Sequence, residues 1–148
     1  MTLRLTTLGA LLTLSVLSGP AAGQLPTLEL SAGIHLIRAE VANTFDSRAR
    51  GLMFRKALAA NAGMLFVFPD VTTHCMWKKN TFVPLSVAFM DEQGTIVSIH
   101  DMQPQNETSH CAAKPARFAL EMNQGWFAKK GIKAGASIGG IDKAPPPR

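Results

Sequence analysis

Two apolar runs, Leu85 to Met90 and residues 95–100, are held apart by Asp91-Glu92-Gln93-Gly94. Runs this short, joined by a polar connection ending in Gly, specify a β-hairpin rather than helices. The same signature recurs along the chain. Ile37, Ala39 and Val41 alternate with Arg38 and Glu40, and Phe118, Leu120 and Met122 alternate with Arg117, Ala119 and Glu121. A period of two sends alternate side chains to opposite faces, so both segments are expected to be half-buried strands. Met64-Leu-Phe-Val-Phe68 is apolar throughout and stopped by Pro69-Asp70, as befits a strand buried on both faces. Residues 28–30 and 136–141 are expected to be further strands.

Helix signals are fewer. Asn43-Thr44 offers a cap, Asp46 suits the first turn, and Phe45, Ala49, Leu52 and Met53 share one helical face. A helix over 45–54 is predicted, with Gly51 inside it allowing close packing. Asn123 is expected to cap a second helix over 124–130, stopped at Gly131. The Ala144-Pro-Pro-Pro-Arg148 end is expected to be a disordered tail. Without repeats or linkers, residues 24–143 are predicted to form one α+β domain, mainly antiparallel and barrel-like, with two short helices.

The first residues carry a different message. Arg4, an apolar run from Leu8 to Leu17, the turn Ser18-Gly19-Pro20 and the small residues Ala21-Ala22-Gly23 follow the order of a secretory signal. Cleavage after Gly23 would start the mature protein at Gln24, in the periplasm or secreted. The run is about half of what spans a bilayer, and no Cys adjoins the cut, so no stable membrane anchor is expected afterwards. The fifteen basic and ten acidic residues are scattered, a net charge of +5, and no nucleic-acid partner is expected.

Cys75 and Cys111 are the two cysteines, and in an oxidising compartment they are expected to form a disulfide. An alternative stays open. His74-Cys75 and His110-Cys111 together hold a full donor set for zinc, and Met76, Met102 and His100 extend it toward copper. Neighbours on a strand face opposite ways, which opposes convergence of all four.

Several segments combine into a resemblance: Arg48-Ala-Arg-Gly-Leu-Met-Phe-Arg55, Gly63-Met-Leu-Phe-Val-Phe68, Trp77-Lys-Lys-Asn-Thr81, Pro84-Leu85, and Ala88-Phe-Met-Asp91 followed by Gly94. Lys114-Pro-Ala-Arg117, Leu120-Glu-Met-Asn123, Gly125-Trp126 and Gly131-Ile132 continue it. In this order they resemble the bacterial and archaeal family called domain of unknown function 192, over about residues 40–141. The resemblance implies a compact, β-rich, often exported domain, and brings no established reaction. One departure stands out: Lys78 occupies a position where the family usually has Met, placing a charge where an apolar side chain is usual.

Trp77, Lys79, Asn80 and Thr81 gather an aromatic, a cation, an amide and a hydroxyl next to Pro84, a set suited to a polar ligand. A turn in which Asn and Thr bond their own backbone is the structural alternative. Arg50, Arg55, Arg117 and Glu121 offer either an anion site with Arg50 or Arg55 near that rim, or plain surface ion pairs. The motifs of nucleophilic, zinc-peptidase and nucleotide sites do not occur, and Asp91, Asp101 and Glu121 stand unpaired. The expected function is therefore a non-catalytic periplasmic binding or accessory protein, without a cofactor, for a small polar or anionic ligand or an envelope protein. A metal-binding protein and a small hydrolase or lyase are the alternatives.

Overall fold

The computed structural model describes residues 23–148, so the leader proposed for residues 1–23 lies, apart from Gly23, outside the described residues. In chain order the elements are β1 (Thr27–Ala32), β2 (His35–Ala42), α1 (Phe45–Arg50), β3 (Ala62–Thr72), β4 (Cys75–Met76) and β5 (Leu85–Met90). There follow β6 (Ile96–Met102), β7 (His110–Cys111), β8 (Ala116–Asn123), α2 (Trp126–Lys129) and β9 (Ile138–Gly139). Seven strands form one sheet in the order β6-β5-β8-β3-β2-β1-β9, while β4 and β7 make a separate ribbon. The β2–β3 pair is parallel, because α1 and its loop carry the chain back across the sheet. The other strand pairs are antiparallel, including the predicted β5–β6 hairpin. In its connection, Asp91 Oδ1 accepts from the amides of Gln93 and Thr95.

The sheet curls until its two edges meet. Ile138 pairs with Ala32 on β1, while Thr95, just before β6, bridges Ser137. The Ile96 amide donates to the Ala136 carbonyl at 2.8 Å, and the Gly135 amide returns to the Ile96 carbonyl at 2.8 Å. The fold is thus α+β and barrel-like.

Over β5, β8 and the first part of β3 both faces of this sheet are covered, whereas β2 leaves Leu36 and Arg38 exposed. Leu65, Val67, Ala88, Met90, Leu120 and Met122 fill the inside with Trp126 and Phe127. Met64, Phe66, Phe68, Leu85, Val87 and Phe89 pack outside, under Leu52, Val83 and Ala112. Fully burying each such side chain contributes about 1.5–3 kcal/mol, so the outer layer is a second core rather than a wet face. β3 is buried on both faces over residues 64–68 as expected, but Pro69-Asp70 does not stop it: the strand runs on, exposed, to Thr72 past a register irregularity between Val67 and Thr72. β8 departs from its expectation: Ala119 and Glu121, read as its solvent side, are 0% and 2% exposed. The segments preceding and following β4 and β7 roof that side, and period two alone does not reveal a roof built from distant loops.

The helices are shorter than predicted. In α1, Thr44 Oγ1 accepts from the Ser47 amide at 3.1 Å, and Ser47 Oγ accepts from the Thr44 amide at 3.0 Å, a capping box. Gly51, with φ of 47°, ends this helix instead of sitting inside it. A Cβ there would lie 3.2 Å from Phe66 Cζ, so the expected close packing is present. No residue of α1 is buried. α2 begins behind Gly125, not Asn123, whose amide Nδ2 instead donates to the carbonyls of Leu58 and Ala59. The predicted strand over 136–141 shrinks to two residues before a 3-10 turn, Ile141–Lys143. At the C-terminal end, Asn43 Nδ2 donates to the Pro146 carbonyl at 2.8 Å and the Arg148 amide donates to the Asn43 carbonyl.

Candidate functional site

A cleft of about 340 Å³ opens on the outer face, between α1 with its following turn and the segment from Cys75 to Thr81. The apolar stripe of the predicted helix explains it. Phe45, Ala49, Leu52 and Met53 all line this hollow, and of the four only Leu52 also seals the outer core. Phe66 and Phe68 of β3 line the hollow from the sheet, and Trp77, 55% exposed, stands in the lining beside them.

Two charged side chains lie in the wall of the cleft. Lys78 and Glu121 are each 2% exposed, and Lys78 Nζ donates to Glu121 Oε1 at 3.1 Å. Glu121 lies opposite Met64 on one neighbouring strand and Val87 on the other, so the sheet fixes its backbone on both sides. Lys78 is held by its amide, which donates to the Asn106 carbonyl at 2.9 Å. Burial pushes the Lys78 ammonium below its ordinary range, against the pull of Glu121. Burial likewise pushes the Glu121 carboxyl up, against the pull of Lys78. Each charge therefore persists because the other compensates it.

The Cys75–Cys111 disulfide anchors this wall. The two cysteines face each other across the β4–β7 ribbon with Cα atoms 3.9 Å apart, two residues before Trp77. His74 stacks on Phe68 with ring centroids 3.7 Å apart, fastening the ribbon to β3. Both sulfurs are thus bonded to one another, and neither is a thiolate available to a metal. His110 lies beside His100, ring centroids 5.9 Å apart, and burial and this neighbour push the His100 imidazole down. Among the described residues no group of three or more His, Cys, Asp or Glu gathers in metal-binding geometry.

Of the residues singled out from the sequence, Trp77, Thr81, Arg50, Glu121 and Cys75 line the cleft, and Arg48 joins them. Thr81 is 4% exposed and its hydroxyl donates to the Lys79 carbonyl, a turn contact. Lys79, Asn80 and Arg55 lie outside the lining. Lys79 reaches toward Glu107 at 3.9 Å, both exposed. Asn80 adopts a left-handed φ of 51° and its carbonyl accepts from the Phe54 amide at 2.9 Å. Arg117 donates to the Pro69 carbonyl, away from Glu121. Reading the sequence missed the Lys78–Glu121 pair. The signal was present: a lysine at a position that is usually apolar requires a buried counter-charge, and Glu121 lies between Leu120 and Met122.

Arg55 instead grips Glu40 with both guanidinium nitrogens, at 2.5 and 2.7 Å. That bidentate bond holds the Glu40 carboxyl below its usual range, outweighing burial. A depressed carboxyl pKa contributes stability that is present above the unfolded value and lost as pH falls through the folded one. Glu40→Gln is expected to cost about 0.5–1 kcal/mol at neutral pH, since the pair is partly exposed. Denaturant unfolding at neutral pH, and again below the folded carboxyl's pKa, should show the cost disappearing in acid.

The model of the family described as DUF192, an uncharacterised ACR, matches residues 27–140, the whole sheet and both walls of the cleft. The chain belongs to the DUF192 family. Similar crystal structures are those of a candidate transcription regulator from Sinorhizobium meliloti 1021 and a protein of unknown function from Novosphingobium aromaticivorans DSM 12444. The first is 30% identical with a TM-score of 0.76, covering 81% of this chain and 98% of that one. The second is 33% identical with a TM-score of 0.75, covering 81% and 89%. No curated protein matches. In this DUF192 chain, four of the segments that carry the resemblance meet at one place: Arg48 and Leu52, Phe66 and Phe68, Trp77 and Thr81, and Glu121 all line the cleft.

Proposed function

We propose that the protein is a non-catalytic binding protein of the periplasm that holds a small amphiphilic anion in this cleft. The charge balance of the lining carries the reading. Arg48, Arg50 and Lys78 supply three cations against the one carboxylate of Glu121, while Phe45, Phe66, Phe68 and Trp77 supply flat apolar walls. Guanidinium forks suit carboxylate or phosphate, and an aromatic hollow suits the ligand's body. The volume falls at the small end of ligand pockets, roughly 300–1,000 Å³. Export rests on the leader pattern of the first residues and fits with the disulfide, which persists in oxidising compartments. Among the described residues no helix is long and apolar enough to cross a membrane.

The test is titration calorimetry with 4-(hydroxymethyl)benzoate, its neutral amide serving as the control. The carboxylate should bind and the amide should bind more weakly. Arg50→Ala and Trp77→Ala should each weaken carboxylate binding about tenfold, equivalent to about 1.4 kcal/mol. Both side chains are exposed, so melting temperatures should scarcely move. Equal binding of carboxylate and amide, or indifference to both substitutions, contradicts the proposal.

A further inference from the structure

We infer that Lys78 captures carbonyl compounds, with an aldehyde or 2-oxo acid bearing an anionic group forming an imine at its Nζ and Glu121 relaying the protons. This rests on the binding role proposed above and names a ligand class within it. Both members of the Lys78–Glu121 pair are 2% exposed and yet contribute to the wall of a 340 Å³ cleft. Lys78 and Glu121 therefore stand at the edge of the cleft while shielded from bulk water. Glu121 stands 3.1 Å from the amine, within reach of direct proton transfer. Burial lowers the amine's proton affinity and raises the carboxylate's, against the attraction that holds the resting pair charged, so that transfer costs less than between the same groups in water. Arg50, exposed in the same lining, supplies a cation for the ligand's anionic group, while Arg48 already donates one guanidinium nitrogen to the Val67 carbonyl.

The step balances without a further reagent. Glu121 takes a proton from the Lys78 ammonium, and the freed lone pair attacks the carbonyl carbon while the C=O π pair moves to oxygen. The nitrogen passes a proton to that oxygen, giving a carbinolamine. Protonated Glu121 then returns its proton to the hydroxyl, which leaves as water as the nitrogen lone pair closes the C=N bond. The product is a protonated imine beside a carboxylate, so the charge state of the buried pair is preserved. Hydrolysis reverses the sequence.

The experiment treats the folded protein with 4-formylbenzoate and sodium cyanoborohydride, then maps adducts by intact mass and peptide sequencing. Lys78 is expected to be labelled well ahead of exposed Lys79, its immediate neighbour and internal control. An excess of 4-(hydroxymethyl)benzoate should protect Lys78 alone. Glu121→Gln should slow labelling at Lys78 roughly a hundredfold, the lower range for a positioned acid–base group, and leave exposed lysines unaffected. The protection experiment needs no variant, so a folding defect in Glu121→Gln leaves the question decidable. If the alcohol binds but Lys78 stays unlabelled, or is labelled no faster than Lys79, carbonyl capture is wrong and the binding role stands. If the alcohol fails to bind while Lys78 is labelled selectively, capture stands and the proposed amphiphilic-anion ligand is wrong. If neither occurs, both fall.

Discussion

Glu121→Leu should destabilise the domain by about 3–5 kcal/mol, and adding Lys78→Met should restore most of that loss. The single change strands an ammonium that is 2% exposed against an apolar sheet face. The double change replaces two desolvated charges with apolar groups, which is often neutral or stabilising. Urea unfolding of both single variants and the double variant measures the coupling directly. A double variant no more stable than Glu121→Leu would show that the two charges do not compensate each other. The single variants should also respond oppositely to pH. Burial lowers the Lys78 pKa, so its contribution is present above the unfolded value and lost as pH falls through the folded one. The Glu121→Leu protein should therefore recover as pH rises. Burial raises the Glu121 pKa, so its contribution is present below the unfolded carboxyl value and lost as pH rises through the folded one. The Lys78→Met protein should be at its best in acid.

Replacing both cysteines with Ser is expected to cost about 4 kcal/mol, from the entropy of a freed loop. The bridge spans a sequence separation of 36 residues, enclosing β5, β6 and the cleft wall from Trp77 to Thr81. Against a typical stability of about 5–15 kcal/mol, this is a large fraction. Calorimetric melting of the variant beside the wild type with and without reductant is the measurement. Reduced wild type should melt with the variant. A wild type indifferent to reductant would show that the bridge contributes nothing. The ribbon also orients Trp77, so ligand affinity should fall in the variant before the fold is lost.

Much of this architecture is written locally in the sequence, and the site is not. The hairpin of β5 and β6 follows from two apolar runs and a polar turn, and the buried part of β3 from an apolar run, although Pro69 does not end that strand. The cysteine pairing follows from there being two thiols. What escaped were properties created by segments far apart in the chain. Glu121 has the sequence spacing of a solvent-facing residue, yet the covering loops bury it. The stripe of Phe45, Ala49, Leu52 and Met53 has the spacing of a core face, yet only Leu52 is buried and the four together line a hollow. Asn123 has the chemistry of a helix cap, yet the backbone of residues 58 and 59 takes its amide. Lys79 and Asn80 drew attention by side-chain type, while Lys78 drew it only as a departure from a family pattern. Its role depends on a partner 43 residues away.

α1 stands apart from the other described helices because none of its residues is buried, whereas α2 buries Trp126 and Phe127 and the closing 3-10 turn buries Ile141. Its attachments are a capping box at one end, the Arg48 guanidinium on the Val67 carbonyl and the buried Leu52 just beyond it. Few buried apolar contacts mean a low free energy of local opening, whereas β5, β8 and the first part of β3, covered on both faces, open only with the whole domain. One wall of the cleft can therefore breathe while the wall bearing Glu121 keeps its place. Such a division admits ligands of differing bulk without loosening the strand that positions the carboxylate.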